Sequence, residues 1–71
     1  MNDFDLGKLI KEHRKAAGLT QLQLADLAGI GKTTVFDIEK NKTSVRWDSL
    51  TAVLNILNID IQFISPLKNK R

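Results

Sequence analysis

Apolar positions recur at helical spacing through most of the chain, then switch to alternation near its end. Leu6, Leu9, Ile10 and His13 repeat with Lys8, Lys11, Glu12 and Lys15 between them, which predicts a helix over residues 4–17. His13 on this stripe reads as a partly buried packing residue. Gly18 closes the helix, because glycine takes the left-handed conformation after a helix end without steric cost. Thr20 and Gln23 form a capping box that opens a second helix, whose inward face is Leu24, Ala25 and Ala28. Gly29 ends it early, and a helix that short depends on packing from its neighbours. A third helix is predicted over residues 32–40. Val35 and Ile38 form its narrow apolar side, with Lys32, Thr33, Phe36, Asp37 and Lys40 opposite. Residues 41–44 make a polar loop. Ser44 is the expected N-cap of a fourth helix reaching residue 58, with Trp47, Leu50, Val53, Leu54 and Leu57 inward. Ile59-Asp60-Ile61-Gln62-Phe63-Ile64 then alternates and reads as a single strand, stopped at Pro66.

Length narrows what this pattern can be. Seventy-one residues allow one domain, and a chain this short buries only about 60% of its unfolded surface. With no cysteine there is no disulfide or thiolate zinc site, and one histidine does not build a metal centre, so no metal or cofactor is expected. Close helix packing and oligomerisation remain as sources of stability. Little room is left for a deep pocket, and no enzyme is expected. The acidic start lacks an export pattern, and no apolar run approaches the ~18 residues of a membrane span. A cytoplasmic protein is the expectation. The net charge is +3. Lys8, Lys11, Arg14, Lys15, Lys32, Lys40, Lys42 and Arg46 face only Glu12, Asp26, Asp37 and Glu39 between them in the chain. A basic body of this kind suits a polyanionic partner.

The two short helices joined by a tight turn carry the functional signal. Thr20-Gln21-(x2)-Leu24-Ala25-(x2)-Ala28-Gly29-Ile30-(x4)-Val35-(x2)-Ile38-Glu39 has helix-turn-helix spacing. Ala25 is small where two helix axes cross, Gly29 supplies the turn, and Ile30, Val35 and Ile38 fill the angle. Together with Arg14 and Gly18-Leu19, this stretch resembles the Xre family of helix-turn-helix DNA-binding domains, which share the lambda-repressor-like fold. The resemblance covers residues 6–58 and implies a mainly α, four-helix DNA-binding domain at residues 1–58. It implies that the third helix enters the major groove, with Lys32, Thr33, Phe36 and Asp37 reading bases. Lys32 lies where the helix macrodipole disfavours a cation by about 0.3–1 kcal/mol, which an acceptor-rich ligand would offset. The alternatives are a solvated Lys32 and a partly buried core Phe36. Gln21, Thr34, Lys40, Asn41 and Lys42 are the implied phosphate contacts, which position without reading. Arg14 and Glu39 resemble the family's interhelical ion pair, the alternative being Arg14 on a phosphate. Leu22 and Leu27 depart from the family pattern, which is usually polar there. Asn41 replaces the usual glycine after the motif.

The alternating segment has no strand to pair with in a helical chain, and an unpaired edge is a template for another chain. Residues 59–65 are therefore expected to be a dimerisation strand that buries Ile59, Ile61 and Phe63, or the opposite row with Ile64. A two-fold dimer would present two reading helices to a palindromic operator. Residues 66–71 are expected to be a basic, flexible tail. A short Xre domain followed by one strand resembles the HipB-like antitoxins, which implies operon repression and binding to a HipA-like kinase toxin. A free-standing repressor and a protein-interaction module without DNA binding are the alternatives.

Overall fold

Asp5 starts the first helix: its carboxylate accepts the Lys8 backbone N–H at 2.9 Å, and α1 follows over Leu6–Ala16. The computed structural model describes residues 4–67. The capping box opens α2 (Gln21–Ala28) as expected. Thr20 Oγ1 accepts the Gln23 N–H at 3.0 Å, and Gln23 Oε1 accepts the Thr20 N–H at 2.9 Å. The third helix, α3, is Lys32–Glu39, and α4 is Trp47–Ile56.

Each helix stops by the same device. An N–H just beyond the helix reaches back to the carbonyl five residues earlier: Leu19 to Arg14, Ile30 to Ala25, Lys42 to Asp37 and Ile59 to Leu54, at 2.9–3.1 Å. This closure needs a left-handed residue between. Gly18, Gly29, Asn41 and Asn58 supply it, with φ of 75°, 71°, 59° and 59°. Asparagine tolerates this region because its short polar side chain bonds locally. Asn41 thus does the backbone work of the glycine it replaces.

Ile10, Leu24, Ala25, Val35, Ile38, Val53 and Leu54 form the buried core. Complete burial of the larger ones stabilises the fold by about 1.5–3 kcal/mol each. The central helix α2 packs against both α3 and α4, and α1 packs on α3. Glycine is required at position 7, where α1 meets the end of α3. A Cβ there would meet the Glu39 carbonyl and stand 2.9 Å from Asn41 Oδ1.

Four expectations are corrected, the first being Trp47, expected inward on α4 but 59% exposed at its first turn. Ser44 is not the N-cap of α4: Val45 turns in against the core, and Arg46 takes the cap position without a side-chain cap bond. His13 is exposed, its Nδ1 lying 2.9 Å from the Leu9 carbonyl one turn back. Residues 59–64 are not a strand in the single chain, and among the described residues the architecture is all α. A ladder requires a second extended segment, and the rest of the described chain is helix and turn. Of the expected tail, only Pro66 and Leu67 fall within the described residues.

Candidate nucleic-acid interface

Helix α3 is held against α2 by its apolar side. Ala25 is fully buried, and Gly29 turns the chain so that Gly31 begins α3. With Val35 and Ile38 in the core, the helical period leaves Lys32, Thr33, Phe36 and Lys40 exposed on the other side. Gln21, at the start of α2, joins Lys32, Thr33 and Phe36 around a shallow cup of about 370 Å³. Phe36 is 44% exposed and therefore not a core residue. Lys40 Nζ lies 5.4 Å from its ring centroid, within cation–π range. The face thus combines two cations, a hydroxyl and an apolar ring, and it projects from a rigid core.

Thr34 and Asp37 lie half-buried, toward the loop before α4. Asp37 Oδ1 is 3.8 Å from Lys42 Nζ, so an acid beside the reading face is compensated by an adjacent cation. With Ser44, Arg46 and Ser49 they line a cleft of about 190 Å³. Arg46 is held there by two bonds to Asp48, at 3.0 and 3.1 Å. That pairing raises the Arg46 pKa and lowers that of Asp48. Sequence reasoning did not single out Ser44, Arg46 and Ser49 as site residues. The cluster of hydroxyls and one guanidinium flanking the start of α4 was the available signal.

Beneath the face, Arg14 and Glu39 form the expected ion pair. Arg14 Nε donates to Glu39 Oε2 at 2.6 Å, and Nη2 donates to Oε1 at 3.1 Å. Arg14 Nη1 donates to the Leu19 carbonyl at 2.9 Å. The side chains are 9% and 4% exposed. Bidentate geometry of this kind is strong and directional. Arg14 is thereby committed inside the fold. Gln21 Nε2 also donates to Glu39 Oε1, at 3.1 Å. Burial pushes the Glu39 carboxyl up, but the bonds from Arg14 and Gln21 outweigh it and hold the group below its ordinary value. A phosphate contact by Gln21 would share an amide already bonded to Glu39.

Asn41 has a second task besides its backbone one. Its Oδ1 accepts the Gly7 N–H at 2.8 Å, and its Nδ2 donates to Asp5 Oδ1 at 2.7 Å. The second bond, with that of the Lys8 N–H, holds the Asp5 carboxyl below its usual range. The Asn41 side chain therefore ties the end of α3 to the start of α1, a role absent from its expectation as a phosphate contact. Lys40 and Lys42 flank it and are exposed. Leu22 and Leu27 are exposed on α2.

On the side of α1 and α4, an apolar groove of about 340 Å³ runs among Phe4, Leu9, Trp47, Leu54, Ile61 and Phe63. Ile59 packs against the core, whereas Phe63 and Ile64 are 83% and 87% exposed. Among the described residues, no helix is long and apolar enough to cross a membrane.

A buried interhelical ion pair under two short crossed helices, with a polar and cationic outer face on the second, defines a helix-turn-helix regulator. The helix-turn-helix family model matches residues 10–64, and the chain belongs to that family, in its Xre branch. This family binds DNA, and the chain is a transcriptional regulator of this type. It is 30% identical over 67 residues to the uncharacterised HTH-type transcriptional regulator y4mF of Sinorhizobium fredii, covering 94% of this chain and 88% of that protein. It is 36% identical over 59 residues to the immunity repressor of Bacillus phage phi105, covering 83% of this chain but only 41% of the repressor. Its fold is similar to a chain in the HipA-HipB-O2-O3 complex, with a TM-score of 0.77, 23% identity and 93% of both chains covered.

Proposed function

We propose that the chain is a sequence-specific DNA-binding repressor that acts as a homodimer on a palindromic operator, and that it is the HipB-like antitoxin of a kinase toxin. The exposed row Lys32, Thr33 and Phe36 on α3, with Lys40 just past its end, is the observation that supports DNA binding through this face. Lys32, Thr33, Phe36 and Asp37 meet base edges. Gln21, Thr34, Lys40 and Lys42 meet phosphates, with the Asn41 backbone between the two lysines. Lysine suits guanine O6 and N7, and threonine offers a hydroxyl and a methyl.

The dimer reading rests on the groove beside α1 and α4 and on the apolar residues beyond it. Exposed Ile61, Phe63 and Ile64 are costly to leave in water, and an antiparallel pair of residues 59–65 from two copies would cover the row of Ile61 and Phe63, or the opposite row with Ile64. Likeness in length and fold to a chain of the HipA-HipB-O2-O3 complex supports the antitoxin reading. A stand-alone repressor is the second reading, favoured by the likeness to a phage immunity repressor.

The experiment is a gel shift on the promoter of the chain's own gene, paired with analytical ultracentrifugation of wild type and Ile61→Pro. Proline removes a ladder donor and is excluded from central strands. The expected result is a dimeric wild type that shifts the promoter, and a helical, monomeric variant that does not, through lost bivalency. A variant that stays dimeric at micromolar concentration overturns the strand-paired dimer. Co-purification with the product of a neighbouring kinase gene separates antitoxin from free-standing repressor.

A further inference from the structure

Phe36 is an unusual group to hold on a reading face, since it can neither donate nor accept a hydrogen bond. It is nonetheless 44% exposed and shares one cup with Gln21, Lys32 and Thr33. Lys40, one turn on, places its ammonium 5.4 Å from the ring centroid. The ring is thus an apolar plate between the cations Lys32 and Lys40.

Nearly every feature of the major-groove floor is a donor or an acceptor. Setting a phenyl ring on such an atom removes its water and returns no bond, which is unfavourable. The exception is the C5-methyl group of thymine. We propose that Phe36 makes operator recognition depend on a pyrimidine C5-methyl group, with the Thr33 methyl beside it. Cytosine presents only hydrogen at that position. Methylation of a cytosine at C5 would restore the missing contact, so the same ring makes binding sensitive to cytosine methylation. This inference rests on the DNA-reading role of α3 and specifies what one of its side chains reads.

The test begins with a random-sequence duplex library selected on the full 71-residue chain. The enriched duplex is remade with each thymine in turn replaced by deoxyuridine, which deletes one methyl and leaves base pairing intact. One thymine per half-site is expected to weaken binding by about fourfold, the value of one buried methyl-sized group, while the others are silent. A 5-methylcytosine–guanine pair at that position should bind better than cytosine–guanine by a similar factor. Phe36→Ala, which changes an exposed side chain and should keep its helical circular dichroism, is expected to bind the thymine and deoxyuridine duplexes equally. Silence at every deoxyuridine, or a thymine preference that survives in Phe36→Ala, overturns the methyl reading while leaving DNA binding intact. If no sequence is enriched, the reading role of α3 fails, and this inference fails with it.

Discussion

Removing Arg14 should strongly destabilise the domain at neutral pH, and making the pair wholly apolar should rescue it. The guanidinium makes three hydrogen bonds, to both Glu39 oxygens and to the Leu19 carbonyl. Arg14→Met leaves the Glu39 carboxylate almost without solvent and with the Gln21 amide as its remaining bond among those seen here. Breaking a buried pair on one side costs about 3–5 kcal/mol. A domain of this size has a total stability of about 4–10 kcal/mol. At about 4–8 °C per kcal/mol, the melting temperature should fall by at least about 12 °C. The double variant Arg14→Met/Glu39→Leu should recover most of the loss, since apolar replacement of a whole buried pair is often neutral.

Acid should act oppositely on wild type and single variant. In the wild type the folded Glu39 pKa is depressed, so its stabilising contribution is full above the unfolded value, about 4.3, and is lost as pH falls through the folded one. Without Arg14 the burial effect prevails and the folded pKa is raised, so protonation relieves the variant. The gap between the two melting curves should therefore narrow from pH 7 to pH 4. Thermal melts followed by circular dichroism measure this. A single variant that melts like wild type at pH 7, or a gap that widens in acid, refutes the reasoning.

Lys32→Ala should weaken binding to the selected operator by about 1–3 kcal/mol and spare random DNA; equal losses measured at one salt concentration would make Lys32 a phosphate contact. Lys42→Ala should reduce the slope of log affinity against log salt by about one, and the slope will also register the acid at Asp37 that loses its partner 3.8 Å away. Gly7→Ala should destabilise the fold by about 1–3 kcal/mol, because the new methyl meets the Glu39 carbonyl backbone; an unchanged urea midpoint would show that α1 can slide on α3.

Local chemistry made much of this fold legible in the sequence. Thr20, Gln23 and Gly29 act within a few residues of themselves, so their spacing alone announced the start and end of α2. The apolar period likewise placed Val35 and Ile38 inside and Lys32, Thr33 and Phe36 outside. Polar contacts across the fold have no period. The bond from Gly7 to Asn41 spans 34 positions, and nothing near Asn41 signals it. Ser44 misled because several polar residues in a row could each cap a helix, and the inward turn of Val45 chose between them. His13 kept the helical spacing of its apolar neighbours but stands in solvent. The alternation of residues 59–64 reads as a strand, but alternation only says which side chains share a face, and among the described residues no second extended segment pairs with it.

The chain contains one tryptophan and no tyrosine. That tryptophan, Trp47, stands 59% exposed at the apolar groove. Ultraviolet emission from this protein is consequently the signal of one indole, located at the groove and not in the buried core. An indole so placed already emits from water in the folded monomer, so unfolding changes its colour little. Whatever closes over the groove moves the emission to shorter wavelength. Intrinsic fluorescence is therefore a label-free reporter of anything that covers the groove, while helix content must be followed by a separate probe.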